Sequence, residues 1–357
     1  MHAFTTLVLT IATSLAAPTG RVEEEVGREI DRLRSLMEKF GPRSQMGRPP
    51  DLGARLDRVA VMLEDGFLAA SLEQLVQVRR PVLTASYREA LGSGDVDTAA
   101  LDAIWNEAGR EIEERTAPGI PVRSDLPALA QALVQAERVQ ARDYFKASRV
   151  QGEATGTEGG LYYLGVARAH ADNARFVQAL PFPEPSVPAP ALPGLDAFLD
   201  EVEEELLALY EPPASLGSHR DFIEASAKLK FARELRGQDF DLAALRQALE
   251  SWRRIRSLEG NVDAVDGDEL SALVDDLRID LESRDLDHGV ALVLLEFAEA
   301  ALIAGDDSSA SPPLAELGAL TVNELIPAYL RCTQPAPANR PGAATSVRVT
   351  VVRWPFT

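Results

Sequence analysis

The sequence predicts an all-α fold ending in one short β-strand, and three observations lead there. Apolar residues recur every three or four positions in block after block, as on a helix with one buried stripe. Period-two alternation is absent until residue 346. The densest prolines stand between elements, 181–194 between two helical blocks and 335–341 between the last helix and the terminal strand. A chain of 357 residues that is 46% hydrophobic is long enough to bury a substantial core.

At the N-terminus, MHAFTTLVLTIATSLAAPTG holds an apolar run from Phe4 to Ala17, with Ser14 and Ala16 as the small residues a signal peptidase needs. Only His2 precedes the run, where a positive segment is usual. Residues 1–17 are therefore expected to be a signal peptide and the chain to be exported, to a periplasmic or extracellular space. VEEEVGREIDRLRSLMEKF (22–40) follows as a charged helix with Val26, Ile30, Leu33 and Met37 on one stripe, and GPRSQMGRPPD ends it. From Asp51, the next stripe is Leu56, Val59, Leu63 and Phe67, continued by Leu72, Leu75 and Val82. Leu126, Leu129, Leu133 and Ala136 repeat the pattern, as do Phe198, Val202, Leu206 and Leu209, and then Leu270, Leu273, Leu277 and Leu281.

PFPEPSVPAPALPG (181–194) has six prolines in fourteen positions, so it is expected to run as an extended, semi-rigid strap. It divides an N-terminal helical half (18–180) from a C-terminal half (195–330). A shift of 144 residues lays LGSGDVDTAAL (91–101) on LRGQDFDLAAL (235–245) and LPAL (126–129) on LSAL (270–273), which raises a duplication of the halves. Asp97 and Asp241 each stand before Ala-Ala-Leu, placed to accept first-turn amides. A Pro-rich tail (331–357) ends in SVRVTVVRWPFT, where Val347, Val349 and Val351 face one way and Arg348, Thr350 and Val352 the other. A lone strand has no ladder for its backbone groups. Either its valines and Trp354 pack on the helices with a wet edge, or it adds to the sheet edge of a partner.

With 56 acidic against 36 basic residues the formal charge is −20, which repels nucleic acid and anionic membrane surfaces. No segment after the first is long and apolar enough to span a bilayer. A single cysteine, Cys332, excludes an internal disulfide framework and a cysteine-rich zinc site. The histidines, His2, His170, His219 and His288, lack the HxxxH and HExxH spacings that put two ligands on one helical face. In HAD (170–172), His170 and Asp172 point to different sides of a helix. NVDAVDGDEL (261–270) fails as an EF-hand, since Gly267 at the sixth position puts Val262 and Leu273 where charged oxygens are required. Asp266, Gly267 and Asp268 read instead as a turn and helix start. There is no Gly-rich phosphate loop and no GxSxG, so neither cofactor nor metal is expected. Trp252-Arg253-Arg254-Ile255-Arg256 can form a carboxylate clamp, with glutamates of neighbouring helices as the competing partners. Tyr144, Phe145, Tyr162 and Tyr163 line a groove or belong to the core.

LYYLGVARAHADNARFVQAL (161–180) resembles the first helix and turn of a tetratricopeptide repeat, with Leu161, Leu164 and Gly165 at that family's W/L-x-x-L-G spacing. Arg168 and Val177 depart from the family pattern, and no regular repeat period runs through the chain. KFARELRGQDFDLAALRQALESW (230–252) reads as helix, short turn, helix. The resemblance implies helical hairpins stacked as a degenerate α-solenoid, whose usual work is holding peptides or other proteins. The alternative is an ordinary compact bundle. The function expected is an exported, non-enzymatic binding or scaffold protein for a protein or peptide partner. Its candidate contact residues are Tyr162, Tyr163, Trp252, Arg253, Arg254, Val349, Val351 and Trp354. The alternative is an all-α hydrolase or lyase using Asp, Glu or His from different helices as acid and base.

Overall fold

The structure, a computed structural model, describes residues 5–40, 51–91, 98–117, 122–209, 219–259, 267–303 and 314–334. The fold is all-α. In chain order the helices are α1 (Thr5–Phe40), α2 (Leu52–Glu64), α3 (Leu68–Leu91), α4 (Thr98–Thr116), α5 (Ala128–Thr155) and α6 (Thr157–Ala179). After the strap come α7 (Leu195–Leu209), α8 (His219–Arg236), α9 (Asp241–Glu259), α10 (Gly267–Glu282) and α11 (Gly289–Ile303). A last continuous run joins α12 (Leu314–Leu320), a π-helical turn (Thr321–Leu325) and α13 (Ile326–Thr333). There is no strand among the described residues, and the stretch expected to form one, with Val349, Val351 and Trp354, lies outside them. No described helix is long and apolar enough to cross a membrane.

Local chemistry explains most of these boundaries. Asp51 caps α2, its carboxylate accepting from Ala54 N at 3.0 Å. α5 and α6 turn on Gly156, whose φ of 85° suits a residue without Cβ. A Cβ on Gly160 would stand 2.9 Å from both Gly152 Cα and the Trp105 ring, so glycine lets α4, α5 and α6 meet there. α8 ends in a short turn stabilised by Phe240 N donating to Leu235 O at 3.0 Å, and α9 starts at Asp241 as the helix-turn-helix reading requires. The tetratricopeptide-like segment is corrected. α6 runs unbroken to Ala179, because ARAHADNARFVQA contains no glycine or proline to turn the chain. Gly165 does permit a close approach, but to Thr84 O of α3, which a Cβ would meet at 3.3 Å.

The stripes bury as periodicity demands on α1, where Val22, Val26, Ile30 and Leu33 are core, and on α5, where Leu129, Leu133 and Ala136 are. On α10 the stripe is rotated: Leu270, Val274 and Leu281 are buried and Leu273 is exposed. The pair α8 and α9 packs as a hairpin. Their counterparts under the 144-residue shift, α3 and α4, do not; α4 packs on α5 and α6.

The strap is held at both ends. Phe182 packs on the core of α1, α2, α3 and α5, and Leu192 is buried among the C-terminal helices. Gly194 N donates to Cys332 O at 3.1 Å, in an approach where a Cβ would come within 2.6 Å of Arg331 O. Cys332, expected in an irregular tail, is instead a buried residue of α13, and burial pushes its thiol up to about 12. Asp287 ties three elements together. It accepts from Ala128 N of α5 at 2.6 Å and Gly289 N of α11 at 2.9 Å, and its own N–H reaches Pro188 O of the strap at 2.8 Å.

Across the halves, α11 lies against α3 and α5. Glu296 of α11 accepts from Ala70 N in the first turn of α3 at 2.7 Å. Burial pushes the Glu296 carboxyl up to about 7, against the amides of Ala70 and Ala69 and the charge of Arg278. In the unfolded chain this group loses its proton near the ordinary glutamate value, so from there to about pH 7 the folded state binds more protons and stability falls as pH rises. Glu296→Gln, which keeps an acceptor for Ala70 N, is expected to add on the order of 1–3 kcal/mol at pH 8 and little at pH 4. Urea titrations at the two pH values check this. An equal effect at both would remove the titration of Glu296 as the cause.

Candidate functional site

Between the halves lies a cleft of about 610 Å³, within the range of ligand pockets. Its charged wall comes from α3 (Glu73, Arg80), α5 (Glu137), α8 (Glu224, Lys228) and α9 (Arg246, Glu250, Arg253, Arg254). Its apolar wall is α11, with Val290, Val293, Leu294 and Phe297. Gln74, Gln77, Gln140 and Gln247 also line the cavity, and Thr321 and Leu325 bring in the π-helical turn. Such turns interrupt the regular ladder and are frequent at functional sites.

The charges are matched in pairs. Arg246 forks onto Glu73, with Nε at 3.1 Å from Oε2 and Nη2 on Oε1. Burial opposes the Arg246 charge, but Glu73 outweighs it and holds the guanidinium above its usual range. Arg253 forks onto Glu250 at 2.9 and 2.8 Å, and Arg254 reaches Glu224 at 2.5 Å and Glu250 at 3.3 Å. Burial pushes the Glu250 carboxyl up; the hydrogen bond and charge of Arg253 prevail, aided by Lys228 and Arg254, and it sits below the usual carboxylate range. Glu137 faces His170 Nδ1 at 2.8 Å and accepts from Asn173 Nδ2 at 3.0 Å. Burial again works upward, and His170 and Asn173 together bring this carboxyl below its usual range. Lys228 differs, since among the described residues its Nζ donates only to the Gln247 side-chain oxygen, at 3.2 Å, and has no carboxylate within ion-pair distance. Burial pulls its ammonium down; Glu250 opposes this, and Arg246, Arg254 and Arg80 add to it.

No protein-family model, curated protein or solved structure matches this chain. The tetratricopeptide-type likeness stays local to residues 161–180, and the site has to be read from its own residues.

Of the residues singled out in the sequence, Arg253 and Arg254 line the cleft, paired with the neighbouring glutamates that were their competing partners. Trp252 does not line the cleft. It is buried in the C-terminal core with Phe198 at its edge and Arg256 over its ring, because one step along α9 turns the side chain by about 100°, out of the cleft wall. Tyr162 is exposed and Tyr163 half-buried on α6, away from the cleft, where the Tyr163 ring lies tilted against Tyr144 with centroids 5.9 Å apart. Phe145 lines a second, outer groove of about 590 Å³ with Trp105 and Arg149. His170 and Asp172 do point apart, to Glu137 of α5 and to Tyr87 and Arg115 of α3 and α4. His288 is buried against the Tyr329 hydroxyl at 2.7 Å. No group of three or more metal-ligating side chains is assembled among the described residues.

Sequence reasoning missed Glu73, Lys228, Arg246, Gln247 and Glu250. One signal was available on α9. Arg246, Glu250, Arg253 and Arg254 follow one helical face, opposite the buried Leu245 and Trp252.

Proposed function

We propose that the chain is an exported, non-enzymatic binding protein that holds a peptide segment of a partner in the cleft between its halves. The observation that carries this is the division of the cleft into a charged wall and an apolar wall, with four glutamines along it. Glutamine amides both donate and accept, which suits the backbone of an extended peptide, and the α11 wall suits its apolar side chains. In a chain of net charge −20 the cleft carries five cations against four carboxylates, so it is unlike the rest of the molecule. Export rests on the N-terminal apolar run. The packing of α11 on α3 and α5 favours a bundle closed around the cleft over a linear solenoid.

The catalytic alternative draws on the Glu137–His170 pair. Against it, the cleft carboxylates Glu73, Glu137 and Glu250 are each engaged by a nitrogen partner, and His170 is fully buried. A general base must reach the proton it removes.

Ala227 is exposed at the cleft lining, so Ala227→Trp fills the cavity without disturbing the core. Peptides selected from a random display library on the wild-type chain are expected to bind this variant about tenfold or more weakly. Its melting temperature should stay within about 2 °C. Removal of residues 346–357 should leave the affinity unchanged. Equal binding by wild type and Ala227→Trp would sink the cleft as the binding site.

A further inference from the structure

The cleft's ion pairs leave two cations over, Arg80 and Lys228. Glu73 is taken by Arg246, Glu250 by Arg253 and Arg254, Glu224 by Arg254, and Glu137 by His170 and Asn173. Arg80, also on the wall, is exposed, so water answers its charge. Lys228 lies between the buried Ala225 and Leu229 on α8 and meets only the neutral amide oxygen of the buried Gln247. Lys228 is half-buried, and an ammonium with one neutral protein acceptor and no carboxylate beside it is short of charged partners, since it has three donors to satisfy.

Building on the reading of the cleft as the peptide site, we infer that Lys228 is the receptor for a carboxylate carried by the bound segment. Among the side chains that line the cleft, the surplus of cations over carboxylates is one charge. A singly charged carboxylate cancels that surplus. A phosphate dianion would exceed it and face Glu73, Glu224 and Glu250 across the same cavity. The carboxylate completes the Lys228 shell with a charge-assisted hydrogen bond in a partly dry site, where such a bond is strong. The peptide's C-terminus and an Asp or Glu side chain both present this group.

The chain has four lysines, Lys39, Lys146, Lys228 and Lys230, which makes ¹³C-dimethyl-lysine NMR on the full chain tractable. The Lys228 resonance is identified by its loss in Lys228→Arg. Sodium acetate is expected to move that resonance saturably and raise its titration midpoint by about one pH unit, a tenfold shift in proton affinity. Sodium chloride and sodium phosphate at equal ionic strength should not. A Lys228 signal that ignores acetate, or follows chloride or phosphate equally, overturns the inference.

A second arm compares three versions of one library-selected peptide: a free C-terminus without acidic side chains, a C-terminal amide with one glutamate, and an amide with neither. One carboxylate version is expected to bind about tenfold or more tightly than the neutral one. Which version does so identifies the source. The preference should vanish in Lys228→Met and survive in Lys228→Arg, with both variants showing wild-type circular dichroism. If the neutral peptide binds as well as the others, the carboxylate inference falls while the peptide site stands. If Lys228 answers acetate but no library peptide binds, the peptide reading falls and the carboxylate site stands.

Discussion

Trp252→Ala is expected to lower folding stability by about 3–5 kcal/mol, the range for removing a large aromatic from a core. The indole is 1% exposed, sits edge-on to Phe198 with ring centroids 5.9 Å apart, and lies 4.1 Å beneath the Arg256 guanidinium. Truncation forfeits the buried area and leaves a void among α7, α8 and α9 that the hairpin cannot close. α8 and α9 are also pinned by Ser251 Oγ donating to Ala225 O at 2.9 Å, one position from the tryptophan. Trp252→Phe, which keeps most of the volume, should lose less than half as much. Urea unfolding monitored by circular dichroism gives both values. A loss under about 1 kcal/mol for the alanine variant would mean the ring is a surface group after all.

The second large effect belongs to Arg79, whose side chain is 4% exposed. Its Nη1 pairs with Glu29 of α1, its Nε donates to Asn173 Oδ1 of α6 at 2.9 Å, and its guanidinium lies 4.1 Å from the Phe176 ring centroid. Burial pulls the Arg79 charge down, and Glu29 opposes that pull. Arg79→Ala strips Glu29 of its inner partner and orphans the Asn173 oxygen, and the expected loss is about 3–5 kcal/mol. Arg32, 2.8 Å from Glu29, holds the figure toward the lower end. Replacing the pair together, Arg79→Met with Glu29→Leu, should recover most of the loss, because two apolar side chains need no partners. Chemical denaturation of the three variants decides it. A double variant no better than Arg79→Ala would show that the packing of the guanidinium, not its charge, matters.

Helix-level features were legible wherever one strong stripe had one destination. Val26, Ile30 and Leu33 announce the buried face of α1, and Gly237 with Asp239 and Asp241 mark the α8–α9 turn. α10 shows the limit. Leu270, Leu273, Leu277 and Leu281 form a plausible stripe, yet Val274 is buried and Leu273 is not. A helix with apolar residues on two adjacent faces is rotated by its neighbours. Here Gly318 of α12 receives Leu270, where a Cβ would stand 2.5 Å from its methyl group. The run from Trp252 to Arg254 was visible as a cluster but split between core and cleft, since each residue advances roughly 100° around the helix.

By itself the sequence determined that the chain is helical, which faces of α1 and α5 turn inward, and where the strap divides it, because these follow from periodicity and from proline's missing amide hydrogen. Only the tertiary structure decided that Glu73, Glu137, Lys228, Arg246 and Glu250 share one cleft. They come from four helices brought together by packing, with α9 on α5 and α8, and α11 on α3 and α5, and no local spacing records which charge will find which partner. Electrostatic pairing at 2.5 to 3.3 Å depends on that packing, whereas helix formation depends on neighbours along the chain.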